Sequence, residues 1–178
     1  MVAANTKLFE PILDRTGAIN SVVELGSNIG LNLLSLQALL PSAQLDGVEI
    51  NARAFAELER IPGVTAHHSS INDFQTNETW DLAFTKTVLI HLDPETLGAA
   101  YEKLHAISRR FILVAEYYSP TPVEIDYRGH AGKLFKRDFA GEILDRFSDL
   151  ELVDYGFVYH RDEFPQDDVN WFLLEKRR

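Results

Sequence analysis

Short apolar runs alternate with helix-patterned segments along most of this chain, and no other feature limits its fold so strongly. Residues 21–25, Ser-Val-Val-Glu-Leu, have a buried-strand pattern ending at Gly26, and residues 31–40 follow as an apolar-rich helix stopped by Pro41. Residues 44–50 read as the next strand and 52–60 as the next helix, broken at Ile61-Pro62-Gly63. Short strands are expected at 64–68 and 80–84, the second after the polar turn 75–79. Asp93 suits an N-cap and Pro94 the first helical position, so a helix is expected from there to residue 108. Residues 110–116 carry the wholly apolar run 112–115 of a central parallel strand. A helix is expected over 137–147, and the late strands 150–160 and 169–175 have no helix between them. Strand–helix alternation closed by such a pair specifies an α/β fold with a mostly parallel sheet and an antiparallel C-terminal strand pair. No repeat, low-complexity tract or linker divides residues 1–178, so one domain is expected.

Composition narrows the function. The chain has 178 residues, 46% hydrophobic and 25% charged, which is ordinary for a globular protein and excludes disordered and fibrous classes. Without cysteine there is no disulfide framework, thiolate metal site or cysteine nucleophile. The first ten residues lack the apolar run of a secretory signal, and no stretch is long and apolar enough to span a membrane. These features fit a cytoplasmic enzyme or binding domain. The balance of 17 basic and 27 acidic residues disfavours nucleic acid, since the only dense basic cluster before the C-terminus is Lys133, Lys136 and Arg137. The expected partner is a small molecule, with no nucleic acid and no membrane, and the protein is expected to be a monomer or homodimer.

Ligands of open α/β sheets bind beyond the carboxyl ends of the strands, near the point where strand order reverses. After the first strand comes Glu24-Leu-Gly-Ser-Asn-Ile-Gly30. Gly26 allows a tight turn and Gly30 lets a helix begin close to a ligand. The second strand ends in Gly47-Val-Glu49, an acid about 20 residues past the glycine turn and suited to ribose hydroxyls. Either glycine alone is an ordinary turn residue. The pair with Glu24 and Glu49 points to a nucleoside-bearing cofactor. A dinucleotide site wants a second glycine where Asn28 stands, and Glu24 suits a cation better than a diphosphate. S-adenosylmethionine, with its ammonium and sulfonium and no phosphate, is therefore the expected cofactor.

Glu24-Leu-Gly-x-x-x-Gly30 resembles the first motif of the S-adenosylmethionine-dependent methyltransferases of class I, and Gly47-Val-Glu49 their ribose-binding acid. The resemblance implies a Rossmann-like three-layer sandwich with a seven-stranded sheet. It places Ser70 and Ile71 beside the adenine and residues 81–85, ending in Thr85, beside the reactive methyl group. The segments 84–92, 115–124, 127–130, 133–141, 154–161 and 165–172 resemble the methylases associated with pseudaminic acid biosynthesis. This implies a nonulosonic sugar acid or its conjugate as acceptor. Such methylases usually carry a further aromatic-rich N-terminal segment; here the chain starts just before the first helix, and a less covered cofactor is expected.

Other candidates follow from chemistry. Asn28 either bonds the cofactor's carboxylate or holds the turn. His91, after Thr85-Lys86-Thr87, is the expected general base, with His130 second; its plain alternative is a solvated histidine at a helix entry. The loop 119–134 is long for a strand–helix connection and is expected to form the acceptor side. Glu116 and Tyr117 at the end of the fifth strand, and Tyr127 and Arg128 on this loop, are substrate-contact candidates, with Arg128 and Lys86 suited to an acidic group. Tyr159 and His160 close a late strand and are further substrate candidates or edge residues. His67 and His68 are adjacent in a strand and point to opposite faces, so no metal is assigned. The expected activity is methyl transfer to an oxygen or nitrogen of a small polar acceptor. A nicotinamide-dependent oxidoreductase, a protein or RNA methyltransferase, and a non-catalytic module of the same fold are the alternatives.

Overall fold

The computed structural model describes residues 2–127 and 130–177, and for residues 126–133 the backbone alone where it is described. Strand β1 (Ser21–Leu25) is buried on both faces, as a continuous apolar run in a parallel sheet must be. Helix α2 (Leu31–Leu39) follows it and ends just before Pro41. Strand β2 (Gln44–Glu49) leads to α3 (Ala52–Leu58), whose N-cap Asn51 accepts hydrogen bonds from the amides of Arg53 and Ala54. Strands β3 (Val64–His68) and β4 (Trp80–Lys86) come next. Helix α4 (Leu97–Ile107) runs directly into β5 (Ser108–Glu116). A hairpin of β6 (Val123–Tyr127) and β7 (His130–Lys136) precedes α5 (Phe139–Arg146), capped by Asp138. Strands β8 (Leu150–Val158) and β9 (Val169–Lys176) finish the chain.

The main sheet has seven strands in the order β3-β2-β1-β4-β5-β9-β8, and among the described residues β6 pairs only with β7. The strands from β3 to β5 are parallel, while β9 is antiparallel to both β5 and β8. This is the expected α/β sandwich. One core joins the sheet to α4 and α5, with Ala83, Ile112 and Val114 against Leu104 and Ile143. The other joins it to α2, α3 and the N-terminal helix α1 (Val2–Thr16), with Val22, Leu82 and Leu113 against Phe9, Leu36 and Leu58. Chain order reverses between the neighbours β1 and β4, so the binding crevice is expected at their carboxyl ends.

Three segments depart from the sequence expectation. The 93–108 helix begins only at Leu97, because the Asp93 carboxylate accepts from the Glu95 amide and its carbonyl from Thr96, closing a separate turn. A 3-10 turn, Leu89–His91, stands before it. Most of the expected loop 119–134 belongs to the β6–β7 hairpin, which runs on to Lys136, and β7 lies against that 3-10 turn. Helix α1, absent from the strand–helix pattern, buries Asn5, Leu8, Phe9, Ile12 and Thr16 along one stripe despite Pro11. No helix among the described residues is long and apolar enough to cross a membrane.

Candidate active site

A pocket of about 1060 Å³ opens at the carboxyl ends of β1, β2, β3 and β4, where the switch in strand order leaves the crevice. This exceeds the range of roughly 300–1,000 Å³ usual for one small ligand. Of the expected cofactor residues, Gly26, Asn28, Glu49, Ser70 and Ile71 line it directly. Lys86 and His91 line it from the end of β4 and the turn after it.

The glycine turn is set by local geometry. Gly26 has φ +83°, and its amide and that of Ser27 both donate to the Val48 carbonyl, so the turn folds back on β2. A Cβ at Gly26 would lie 2.5 Å from Cγ2 of Val88. Gly26→Ala therefore combines a left-handed strain of roughly 1–3 kcal/mol with a clash at the pocket wall. The expected result is a lower thermal midpoint together with loss of nucleoside binding, read by melting and titration of the same sample. Gly30, also left-handed, meets Ile61 and Leu58 instead; its requirement is close packing of α2 on the α3 side.

Glu49 is 8% exposed and ties two loops together. Its Oε2 accepts from the Asn28 amide at 2.7 Å and its Oε1 from the Asn51 amide at 2.6 Å. Asn28 sits at φ +50°, held by that bond. Each carboxylate oxygen retains capacity for a further donor such as a sugar hydroxyl.

Glu24 lies fully buried in β1, paired in register with Gly47 and Phe84. Its Oε1 accepts from Asn32 Nδ2 at 2.6 Å, and its Oε2 has no partner. Asn32 Oδ1 is likewise without one. Burial pushes the Glu24 carboxyl up to about 7, against the pull of the Asn32 bond and the Lys86 charge. Two buried acceptor atoms without donors, next to the glycine turn, suit a cation. They do not suit a diphosphate. Thr85 is fully buried behind this wall.

Glu116, a candidate substrate contact, has a different task. It is 2% exposed at the end of β5 and its carboxylate accepts from the amides of Val88 and Leu89, each at 3.1 Å, and of Ile90 at 3.5 Å. It holds the turn that carries His91 and does not face the pocket, which corrects its assignment as a substrate contact. Burial pushes this carboxyl up to about 7 as well, opposed by the same backbone amides.

These two acids set a pH dependence. Each has a folded-state value of about 7 against an ordinary 4.5 in an open chain, so the folded protein binds the proton more tightly. Stability from this source is complete below pH 4.5 and is lost as pH rises through 7, by on the order of 3 kcal/mol per group. The thermal midpoint is expected to fall between pH 5 and pH 8, and Glu24→Gln to remove part of that fall. A midpoint flat across the window in the unaltered protein would contradict the burial argument.

Other candidates fall elsewhere. Tyr159 packs against His160 and Phe157, while the His160 ring and amide both engage Asp168 at the end of the β8–β9 connection. Neither lines the pocket among the described residues. Tyr117 carries Lys136 over its ring at 5.3 Å and packs against both cores. Arg128 lies outside the described residues, as do the side chains of Tyr127 and His130. His67 bonds Asp46 and His68 bonds the Ile50 carbonyl, and among the described residues no group of acids and histidines is arranged to hold a metal.

Four of the lining residues that the sequence did not single out bear on the chemistry of the site. Asn5 from α1 is 3% exposed and accepts from Gln166 at 3.1 Å. Asn5, Gln166 and Asp167 thus form a polar wall from two distant segments. Asn32 is the fourth, and only its place in the first turn of α2 after Glu24 signals it.

No protein-family model matches the chain, and no curated protein matches it in sequence. Solved structures match it closely in shape. An N-methyltransferase, NodS from Bradyrhizobium japonicum, superposes with a TM-score of 0.72 at 17% identity, covering 99% of this chain and 96% of its own. An S-adenosylmethionine-dependent methyltransferase from Clostridium acetobutylicum gives 0.73 at 11% identity, covering 100% of this chain and 93% of its own. The chain has the class I methyltransferase fold. An amino pentose methyltransferase from Micromonospora echinaspora, with S-adenosylmethionine bound, shares this fold with a TM-score of 0.71 at 13% identity over 98% of this chain and 90% of its own.

Proposed function

We propose that the protein is an S-adenosylmethionine-dependent methyltransferase that methylates an oxygen or nitrogen of a small polar acceptor. The observation that carries this reading is the Asn32 Oδ1 in the pocket wall, which lacks a donor and is oriented by the buried Glu24 carboxylate beside the Gly26 turn. A dinucleotide would bring phosphates to that spot. A cationic nucleoside brings the charge the spot lacks. The remaining contacts suit the same ligand: Glu49 for ribose hydroxyls, Ser70 and Ile71 for the base, and Asn28 for the turn around it.

Held by Gly26, Asn28 and Glu49, the cofactor would supply a sulfonium-activated methyl carbon open to attack by an acceptor lone pair. The chain's own task is mainly alignment, which can supply about 7–11 kcal/mol of the barrier. His91 sits on the pocket rim and takes the proton of a hydroxyl acceptor; an amine acceptor needs no base once it is neutral. The turn carrying His91 is fixed by Glu116. Asn5, Gln166 and Asp167 offer amide and carboxylate groups to an acceptor rich in hydroxyls. Among the described lining residues there is no phenylalanine, tyrosine or tryptophan, which favours a sugar-like acceptor over a flat aromatic one. Sugar acids come first by the sequence resemblance, with Arg128 as the partner of their carboxylate.

Calorimetric titration with S-adenosylmethionine and S-adenosylhomocysteine tests the reading, followed by a methyl-transfer screen over sugar acids and amino sugars. Binding of both with turnover of one acceptor is the expected result. Binding without turnover across the screen leaves a cofactor-binding module, and absence of binding removes the reading.

A further inference from the structure

The sheet face that packs against α4 and α5 is only partly covered. Leu150 of β8 and Leu174 of β9 lie in the core under these helices. The pairing register puts Leu152, Tyr155 and Phe157 on that same face of β8, opposite Leu174, Phe172 and Asn170 of β9. These three β8 side chains are exposed, Tyr155 and Phe157 to 66% and 53%. The apolar surface continues on both sides of them. The Tyr155 ring stacks on Phe172, Phe172 meets Tyr118 at 5.9 Å between ring centroids, and Phe157 meets Tyr159 at 6.1 Å. Tyr118 and Tyr159 are themselves at least 40% exposed. The result is one strip of aromatic and aliphatic side chains with no charged residue among them. None of them lines the pocket, so neither cofactor nor acceptor accounts for the strip.

We infer that this strip is an interface on which a second copy of the chain seats across a two-fold axis. The area fits a dimer. An aromatic side chain has about 200 Å² to bury, so the exposed fractions amount to roughly 500 Å². Two copies supply about 1,000 Å², the apolar share of an ordinary homodimer interface of about 1,600 Å² that is roughly two-thirds apolar. The composition fits as well, since the centres of such interfaces are rich in Tyr and Phe and poor in charge. Charge selects the occupant. The chain carries a formal −10, so two copies repel unless they meet on a surface free of like charges. A two-fold axis sets residues near it against their own copies, and here those residues are uncharged. An anionic membrane surface is repelled by the same net charge. The contact is between faces, not strand edges. Strand β8 ends the sheet, but a register shift between Leu152 and Asp154, with the charges of Glu151 and Asp154, opposes pairing with a further strand.

Sedimentation velocity on the full chain tests this. A species of twice the chain mass is expected by about 10 μM, and it should persist at high salt because an apolar contact is not screened. Phe157→Asp and Tyr155→Asp each set two like charges beside the axis in a desolvated contact. Each is expected to weaken association at least about a hundredfold. Phe157→Ser is the milder variant should an acid there fail to fold, with a smaller loss in the same direction. A parent that stays monomeric at about 100 μM overturns the proposal, because so weak a contact is no stable dimer. A dimer that both acidic variants leave intact overturns it too, since the contact then lies elsewhere. Flotation of a monomeric parent with phosphatidylcholine vesicles assigns the strip to lipid and likewise overturns it.

Discussion

Glu49→Ala is expected to weaken S-adenosylhomocysteine binding by at least about a hundredfold, because it removes two charge-assisted hydrogen bonds to the protein and the proposed pair to the ribose. In the intact protein the Glu49 carboxylate bridges the amides of Asn28 and Asn51, so one side chain sets the distance between the β1–α2 and β2–α3 turns. Alanine leaves both amides without that acceptor and frees Asn28 from its left-handed conformation. The pocket then loses a ligand contact and the alignment of its two walls together. Glu49→Gln keeps the shape and one acceptor oxygen, and turns an amino group toward one of the two amide donors. It is expected to fall between the parent and the alanine variant. Titration of the three proteins, with thermal midpoints on the same samples, separates the two roles. If Glu49→Ala lowers the midpoint and binds ligand within threefold of the parent, the carboxylate is a turn staple and the ribose assignment is wrong.

The sequence speaks most clearly where structure is local. Strand β1 and the Gly26 turn are fixed by residues adjacent in the chain, and β3 spans the expected residues 64–68. The parallel run from β3 to β5 reflects the strand–helix alternation, whereas β3 and β4 are joined without a helix, so the place of β4 beside β1 is not written in the pattern. Helix α1 has the right stripe, with Leu8, Phe9 and Ile12 spaced for one face, but Pro11 and the polar residues between them hide it. The β6–β7 hairpin is hidden differently. Its strands pair with each other outside the main sheet's order and send only single residues such as Leu134 into the core, so no apolar run announces them. Side-chain direction is the harder limit. Position 116 at a strand end reads as ligand-facing, and only the folded chain reveals that its carboxylate turns to the amides of residues 88–90. Asn5 and Gln166 are 161 residues apart, and nothing in either neighbourhood announces that they meet at the pocket.

The same carboxylate gives the largest expected loss of stability. Glu116→Ala is expected to destabilise the fold by on the order of 3 kcal/mol at pH 6, where burial of an unpaired backbone donor alone costs about 1–3 kcal/mol. Val88 and Leu89 both lose their acceptor, and Ile90 its longer contact. The loss should shrink toward pH 8, because above 7 the parent itself carries the cost of an ionised, buried acid that alanine does not. A purely volumetric effect of the truncation has no such slope, so the difference in midpoint between parent and variant at the two pH values separates the causes. Hydrogen exchange locates the damage. Amides 88–90 are expected to lose protection first, while those of β1 and β5 follow the global midpoint. Because Val88 closes against Gly26 and the turn carries His91, the loosened segment is part of the pocket wall. Glu116→Gln retains an oxygen for Val88 and Leu89, and it is expected to recover most of the exchange protection without the pH slope.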